Sequence, residues 1–416
     1  MSQTQSSTSR KPVRKISSDS VWVLGADMTH FGRYEDQDIV DLAAQTALAA
    51  LDDGNVSIHD MDVLAAGTLL KAGTSLGQRL QKQIGQTGIP VYNVTNACAT
   101  GATAIRTVYL AIKAGEADMG LAVGAEQMGK MGLLAGAHSS KEKSVYEPKG
   151  RYGAVTSLDG YLGTETMPGV FAQAGMEYAN EHPGVGFEQF AKVAYKNHLH
   201  STRNPLAQYR KAFSLDEIMQ SPTMSYPNTL LMCCPTGDGA AAVVLISGER
   251  LKSMPQDVRR RAVKISASVL TSDPYTESSQ VQPDVSTLTR NAAALAYETA
   301  GVAPEDLDLV ELHDCFATAE LIHYDNLGLC EQGGAGDFID SGAPFRDGST
   351  PVNVSGGLIS KGHPIGATGV ANVYEITTHL RGEAGERQIA GAKVGLAHVI
   401  GLGSACGVHV LEKAAV

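Results

Sequence analysis

Short apolar runs alternate with longer alanine-rich stretches along most of this chain. Val21–Gly25, Gly120–Gly124, Ala240–Ile246, Val263–Val269, Leu307–Leu312 and Gly407–Leu411 have the length and side-chain character of strands. The stretches between them have the length and Ala/Leu content of helices. This alternation predicts an α/β protein with parallel strands joined by helical crossovers. The apolar runs are strand-sized, so no membrane span is expected.

The pattern also repeats. Leu48–Val63 (LAALDDGNVSIHDMDV) pairs with Ala294–Leu309 (ALAYETAGVAPEDLDL), matching Val56 with Val302, Asp60 with Asp306 and Asp62 with Asp308. Gly101–Ala117 (GATAIRTVYLAIKAGEA) pairs with Gly366–Ala384 (GATGVANVYEITTHLRGEA) in the same order. Ordered self-similarity of this kind indicates two copies of one unit. Packed together, they predict a five-layer α/β/α/β/α body with halves at 20–262 and 263–416. Between the strands of the first half, about 127–234, the composition shifts to Gly, Met, Tyr and Lys. That segment, with helical stretches at Gly169–Glu181 and Phe187–His200, reads as an inserted loop domain over one face. Met1–Ser18 is rich in Ser, Thr, Lys and Arg and holds no acid. Lacking the apolar face of a transit peptide, residues 1–19 read as a disordered tail.

A formal charge of −11 argues against general nucleic-acid binding, and it makes any polyanionic ligand depend on a local basic patch. Six cysteines without a CxxC pair read as free thiols in a reducing, cytoplasmic setting. The twelve histidines form no metal-binding spacing, so no resident metal is expected.

Four segments carry candidate chemistry. Cys98, in VTNACATGATA, sits where a strand gives way to a helix of small residues. A helix N-terminus lowers a thiol's pKa toward the nucleophilic thiolate; the alternative is a small buried hydrophobe. His363, in the glycine-rich NVSGGLISKGHPIGATG, precedes the second GAT as Cys98 precedes the first. Twofold packing of the halves would bring the two face to face, with His363 as base for Cys98; a purely local loop role is the alternative. His313 and Cys315, in Glu311–Phe316 (ELHDCF), follow a strand whose C-terminal end suits functional groups. Asp314 would orient its neighbours or cap the following helix. Gly395–Gly403 (GLAHVIGLG) could offer a backbone N–H at Gly401, beside that of Cys98, as an oxyanion hole.

NACATG around Cys98, PTGDGAAAVVL at Pro235–Leu245, HDCF at His313–Phe316 and GHPIGATG at Gly362–Gly369 together resemble the thiolase superfamily, from about Val21 to Lys413. HDCF is similar to the sterol-carrier-protein-type branch. The resemblance implies acyl transfer between 3-ketoacyl-CoA and coenzyme A through an acyl-Cys98 intermediate. In that scheme His363 is the base, His313 stabilises the enolate and shares the oxyanion hole with Cys98 and Gly401, and Cys315 is the second acid/base thiol. Cys406 does not align with the family's CxG cysteine, where Val399-Ile400-Gly401 stands, and reads as structural, as do Cys233 and Cys234. CoA is a substrate, no cofactor is held permanently, and a homodimer or homotetramer is expected. Lys192, Lys196, Arg203, Arg210 and Lys211 are candidates for the CoA phosphates. Met167, Val170, Phe171 and Met176 are candidates for an acyl tunnel, or for core. Rival readings are a condensing ketoacyl synthase, and a non-catalytic acyl-CoA or sterol-CoA binder or aldolase-type subunit.

Overall fold

The computed structural model describes residues 20–129, 149–150, 153–154, 167–274, 284–402 and 405–413. The tail expected at 1–19 and part of the insertion lie outside these residues. In the first half, β1 (Val21–Met28), β2 (Val63–Gly67), β3 (Val91–Val94), β4 (Met119–Gln127) and β5 (Asp238–Ser247) lie in the order β3-β2-β4-β5-β1. In the second half, β6 (Val263–Thr271), β7 (Leu309–Glu311), β8 (Val394–Gly401) and β9 (Ala405–Lys413) lie in the order β7-β8-β9-β6. A bridge from Val310 to Val352 stands where β3 stands in the first half. The two orders are the same, and the halves join edge to edge where Val21–Val23 pairs antiparallel with Val263–Ile265.

The sheets are mixed rather than parallel throughout. β2 runs parallel to β3 and β4, and β7 parallel to β8, as expected of crossover units. β5 is antiparallel to both β4 and β1, and β9 to both β8 and β6. The reason is visible in the second half: only residues 402–404 separate β8 from β9, and a parallel return needs a dozen or more.

Helix α1 (Ile39–Asp53) covers the outer face of the first sheet, packing on β1 and β5. Helices α2 (Leu76–Ile84) and α3 (Thr100–Lys113) follow, the latter lying against β2 and β4 and also reaching β6 of the other half. The insertion contributes α4 (Met167–Glu181) and α5 (Phe187–Ser201). In the second half α6 (Val285–Ala300) covers the outer face of β6 and β9, and α7 (Ala317–Asn326) follows the HDCF segment. A short helix α8 (Gly357–Lys361) precedes α9 (Ile365–Arg381), which packs on β4 and β5 of one half and β8 of its own. The helices α3 and α9 are thus the shared middle of five layers.

The repeated aspartates do the same work in both copies. Asp60 accepts from the Ser57 N–H and Asp306 from the Ala303 N–H, each at 2.8 Å, closing equivalent turns before β2 and β7. Asp62 accepts from the N–H groups of Asp118 and Met119, while Asp308 accepts from those of Lys393 and Val394. Each ties the start of one strand to the start of its parallel neighbour.

The repeated GAT triplets meet at the centre. A Cβ at Gly101 would lie 2.9 Å from the Gly366 oxygen, and one at Gly369 would lie 2.4 Å from the Ala102 nitrogen. Nothing larger than hydrogen fits at either position, so the backbones of α3 and α9 touch. Replacing Gly369 by Ala should favour an isolated helix by ~1 kcal/mol. In the protein the clash decides the sign, and Gly369→Ala should destabilise by about 3 kcal/mol, read as a lower urea midpoint. An unchanged or raised midpoint would show that the crossing is not tight.

Candidate active site

Cys98 sits in a tight turn between β3 and α3. Ala97 adopts a left-handed conformation (φ 47°), which breaks the extended path and aims the next residue inward. Asn96 donates from its N–H to the Thr100 hydroxyl at 2.8 Å, and that hydroxyl donates to the Ala97 carbonyl at 2.6 Å. The turn is thus fixed by its own side chains, and Cys98 is left 5% exposed.

His363 enters through the glycine-rich loop of the other half. Gly362 (φ 114°) takes a conformation that L residues rarely adopt, and Pro364 then caps α9. The ring Nδ1 lies 2.7 Å from the Thr368 hydroxyl, which itself donates to the Pro364 carbonyl at 3.0 Å. With its proton committed there, the hydroxyl can only accept from the ring. Nδ1 therefore carries the hydrogen, and Nε2 presents a free lone pair. Among the described protein atoms Nε2 has no hydrogen-bond partner, although the residue is only 3% exposed.

His313 follows β7 directly. Its ring lies edge-on to that of His363, with centroids 5.1 Å apart and planes at 80°. Its backbone N–H donates to Nδ1 of His398, within the glycine-rich passage, at 3.4 Å. Ligating atoms of Cys98, His313 and His363 all lie within 4.8 Å of one another, although the residues come from three distant segments. Gly401 joins them through its backbone: a Cβ there would lie 2.7 Å from the Asn96 oxygen and 3.1 Å from the Ala99 nitrogen.

The two remaining candidate thiols part company. Cys315 is 5% exposed, and the Cys98 and Cys234 thiols are among its electrostatic neighbours. The Cys234 N–H donates to the Cys315 carbonyl at 2.9 Å, so Cys234 stands nearer the reaction centre than a packing role implies. Cys406 pairs with Ile400 and Thr271 in the ladder and interacts instead with Thr289 of α6, on the outer side.

Asp314 does not cap the helix that follows it. Its carboxylate accepts from the N–H groups of Leu358 (2.7 Å) and Ile359 (3.2 Å) at the start of α8, and from Asn197 Nδ2 at 2.8 Å. It therefore ties the HDCF segment to the loop that bears His363. Glu126, overlooked in the sequence, accepts from the Thr68 hydroxyl (2.9 Å) and the N–H groups of Leu69 (2.8 Å), Leu70 (3.1 Å) and Gly366 (3.2 Å). It pins the start of α9 to the first half. Its signal was a single acid at the end of the apolar run that forms β4.

The basic candidates separate by burial. Lys196 is fully buried, with Nζ at 2.8 Å from Glu320, 2.7 Å from the Val352 carbonyl and 2.6 Å from Asn197. It is a structural ion pair and cannot meet a CoA phosphate. Lys192 is engaged by Glu188 and Asp340, both at 2.8 Å. Arg203, Arg210 and Lys211 are exposed. Of the apolar candidates, Val170 and Phe171 are buried, Met167 is partly buried and Met176 is 40% exposed. Phe171 rests on Phe316 with ring centroids 5.5 Å apart, which sets α4 over the HDCF segment.

Burial dominates the electrostatics. It pushes the Cys98 thiol up to about 12, with Glu126 adding to the effect, and lowers His363 to about 3. His313 falls well below its ordinary value through burial, helped by the neighbouring imidazoles. The helix N-terminus does not overcome this desolvation, so the pair rests as neutral thiol and neutral imidazole rather than as the expected thiolate.

A doubled α/β half with Cys and His at matched helix starts, facing each other across the repeat, is the architecture of thiolases. Residues 21–225 match the family described as thiolase, N-terminal domain, and residues 272–413 match thiolase C-terminal domain-like. Sterol carrier protein 2 of Bos taurus is 38% identical over 95% of this chain and 72% of its own length. Among solved structures, an Ltp2-ChsH2(DUF35) aldolase superposes with a TM-score of 0.76 at 21% identity, over 96% of this chain and 99% of its own. Human mitochondrial 3-ketoacyl-CoA thiolase in complex with CoA superposes with a TM-score of 0.70 at 20% identity, over 95% and 98%. The chain belongs to the thiolase family.

A thiol titrating near 12 is almost wholly protonated at neutral pH. Its alkylation by iodoacetamide should therefore rise ~10-fold per pH unit from pH 6 to 10 without a plateau. Mass spectrometry at Cys98 reads the rate, and a plateau below pH 8 would indicate a thiolate–imidazolium pair instead.

Proposed function

We propose that this chain is an acyl-CoA C-acyltransferase that cleaves 3-ketoacyl-CoA with CoA, or runs the reverse Claisen condensation, through an acyl-Cys98 intermediate. The observation that carries the reading is the convergence of Cys98, His313 and His363 within 4.8 Å, with the Nε2 lone pair of His363 left free. A neutral thiol beside an unprotonated imidazole needs its proton removed as it attacks, and His363 is the acceptor supplied.

The sulfur of Cys98 bonds to the 3-keto carbon while its proton passes to His363 Nε2. The developing oxyanion lies toward the backbone N–H groups of Cys98 and Gly401. The bond between the α and β carbons then breaks, and its electron pair remains with the departing thioester enolate. His313 donates a hydrogen bond to that enolate oxygen, and Cys315 gives its thiol proton to the α carbon. In the second half-reaction the CoA thiol returns a proton to Cys315 and its sulfur attacks the acyl carbon. Cys98 leaves and recovers its proton from His363. Atoms and protons balance, and the sequence of steps calls on no electron transfer.

Arg203, Arg210 and Lys211 are the exposed cations that suit the phosphates of CoA. A second copy of the chain is the partner we read at β3, an edge strand that exposes Tyr92 (46%) beside the Cys98 turn.

Incubation with acetoacetyl-CoA should leave an acetyl group on Cys98, seen by mass spectrometry of its peptide. A folded protein that forms no adduct with short or bulky 3-ketoacyl-CoA would favour the non-catalytic reading. Cys315→Ala should lower CoA-dependent cleavage ~10³-fold. Cys406→Ala should stay within about threefold, because substitutions away from the chemistry act mainly through stability. The opposite ranking of the two variants would assign the second thiol to Cys406.

A further inference from the structure

The same three side chains form a ligand set for a metal ion, although no spacing in the sequence suggests one. We propose that Cys98, His313 and His363 bind a zinc-class divalent ion reversibly, and that its occupancy blocks acyl transfer. One thiol sulfur and two imidazole nitrogens are the donors that borderline-soft ions such as Zn²⁺ prefer over Mg²⁺ or Ca²⁺. Their mutual separations are at most 4.8 Å, so none exceeds the ~3.5 Å of a tetrahedral zinc shell by more than about 1.3 Å. Rotation of the Cys98 side chain and a small shift of one ring would close that difference.

Two further features suit a metal. His363 presents Nε2 with Nδ1 anchored to Thr368, the arrangement in which a second hydrogen bond orients a metal-binding imidazole. All three ligands are buried, at 5%, 1% and 3% exposure, so water competes poorly for the ion. Three protein donors leave a fourth position for water or a thiol, the coordination of an open zinc site. On binding, the ion replaces the Cys98 proton, which passes to solvent, and a sulfur–metal bond forms. The nucleophile and both imidazoles are then withdrawn together.

The binding rests on the ligand geometry alone, whereas the block of acyl transfer rests on the proposed function, so the two can fail separately. The test uses Co²⁺ as an optical probe on the intact, reduced protein under anaerobic conditions. One equivalent should produce a thiolate-to-cobalt charge-transfer band together with the visible bands of a tetrahedral ion, and Zn²⁺ should displace both. Cys98→Ser should abolish the charge-transfer band, and His363→Asn should weaken binding ~10-fold or more. Protein alkylated at Cys98, with circular dichroism verifying its fold, provides a second route to the same loss. Cys330→Ala should leave the spectrum unchanged. Acyl transfer, where measured, should fall with occupancy and return on chelation. Absence of the band, its survival in Cys98→Ser, or a stoichiometric complex without sulfur character would overturn the proposal.

Discussion

The structure depends on the close crossing of α3 and α9 at their repeated Gly-Ala-Thr starts. Gly101 and Gly369 leave no room for a side chain at the contact, and Gly124 leaves none where β4 meets the Gly366 oxygen. Because Cys98 and His363 each stand three residues before a GAT, fixing the crossing fixes the two reactive groups relative to each other. Glu126 reinforces the arrangement by holding the first turn of α9, at Gly366, against the loop that follows β2. Asp314 does the same from the opposite side, seizing the start of α8 and so locating the loop before His363. The reactive groups are held by backbone contacts and buried carboxylates rather than by mobile surface side chains. This is the preorganisation that catalysis by positioned groups requires.

Burial sets the chemistry that such a site can perform. In water, a thiol at a helix start would tend toward thiolate. Here desolvation outweighs the helix end, and thiol and imidazole both rest neutral. A neutral pair stores no charge in the dry site, and in the proposed mechanism the proton moves only when a carbonyl arrives to take up the negative charge. The Thr368 hydroxyl matters for the same reason. By accepting the hydrogen bond from Nδ1–H, it leaves the lone pair of His363 on Nε2.

Much of this was legible in the sequence because it lies in contiguous motifs. The internal repeat anticipated equivalent halves, and the shared offset of Cys98 and His363 from their GAT triplets anticipated their meeting. The antiparallel strands were harder, since β5 and β9 look like any other apolar run and their direction is set by connections. Lys196 reads in the sequence as a candidate for the CoA phosphates because its partners, Glu320 and the Val352 carbonyl, lie far away along the chain. Helical spacing held a clue: Lys196 follows Val193 and precedes His200 on a buried stripe of α5. The lowered thiol pKa was expected from local structure, and burial from the other half reversed it. Such terms arise only when distant segments close over a site.

The central claim is that His363, brought in by the second half, is the base for Cys98 in the first. The most direct measurement is the single-turnover rate of Cys98 acetylation by acetoacetyl-CoA in His363→Ala, with and without added imidazole. The account predicts a fall of ~10³-fold and partial recovery with imidazole, in keeping with the usual size of general-base catalysis. Acetylation of His363→Ala at the wild-type rate would contradict it.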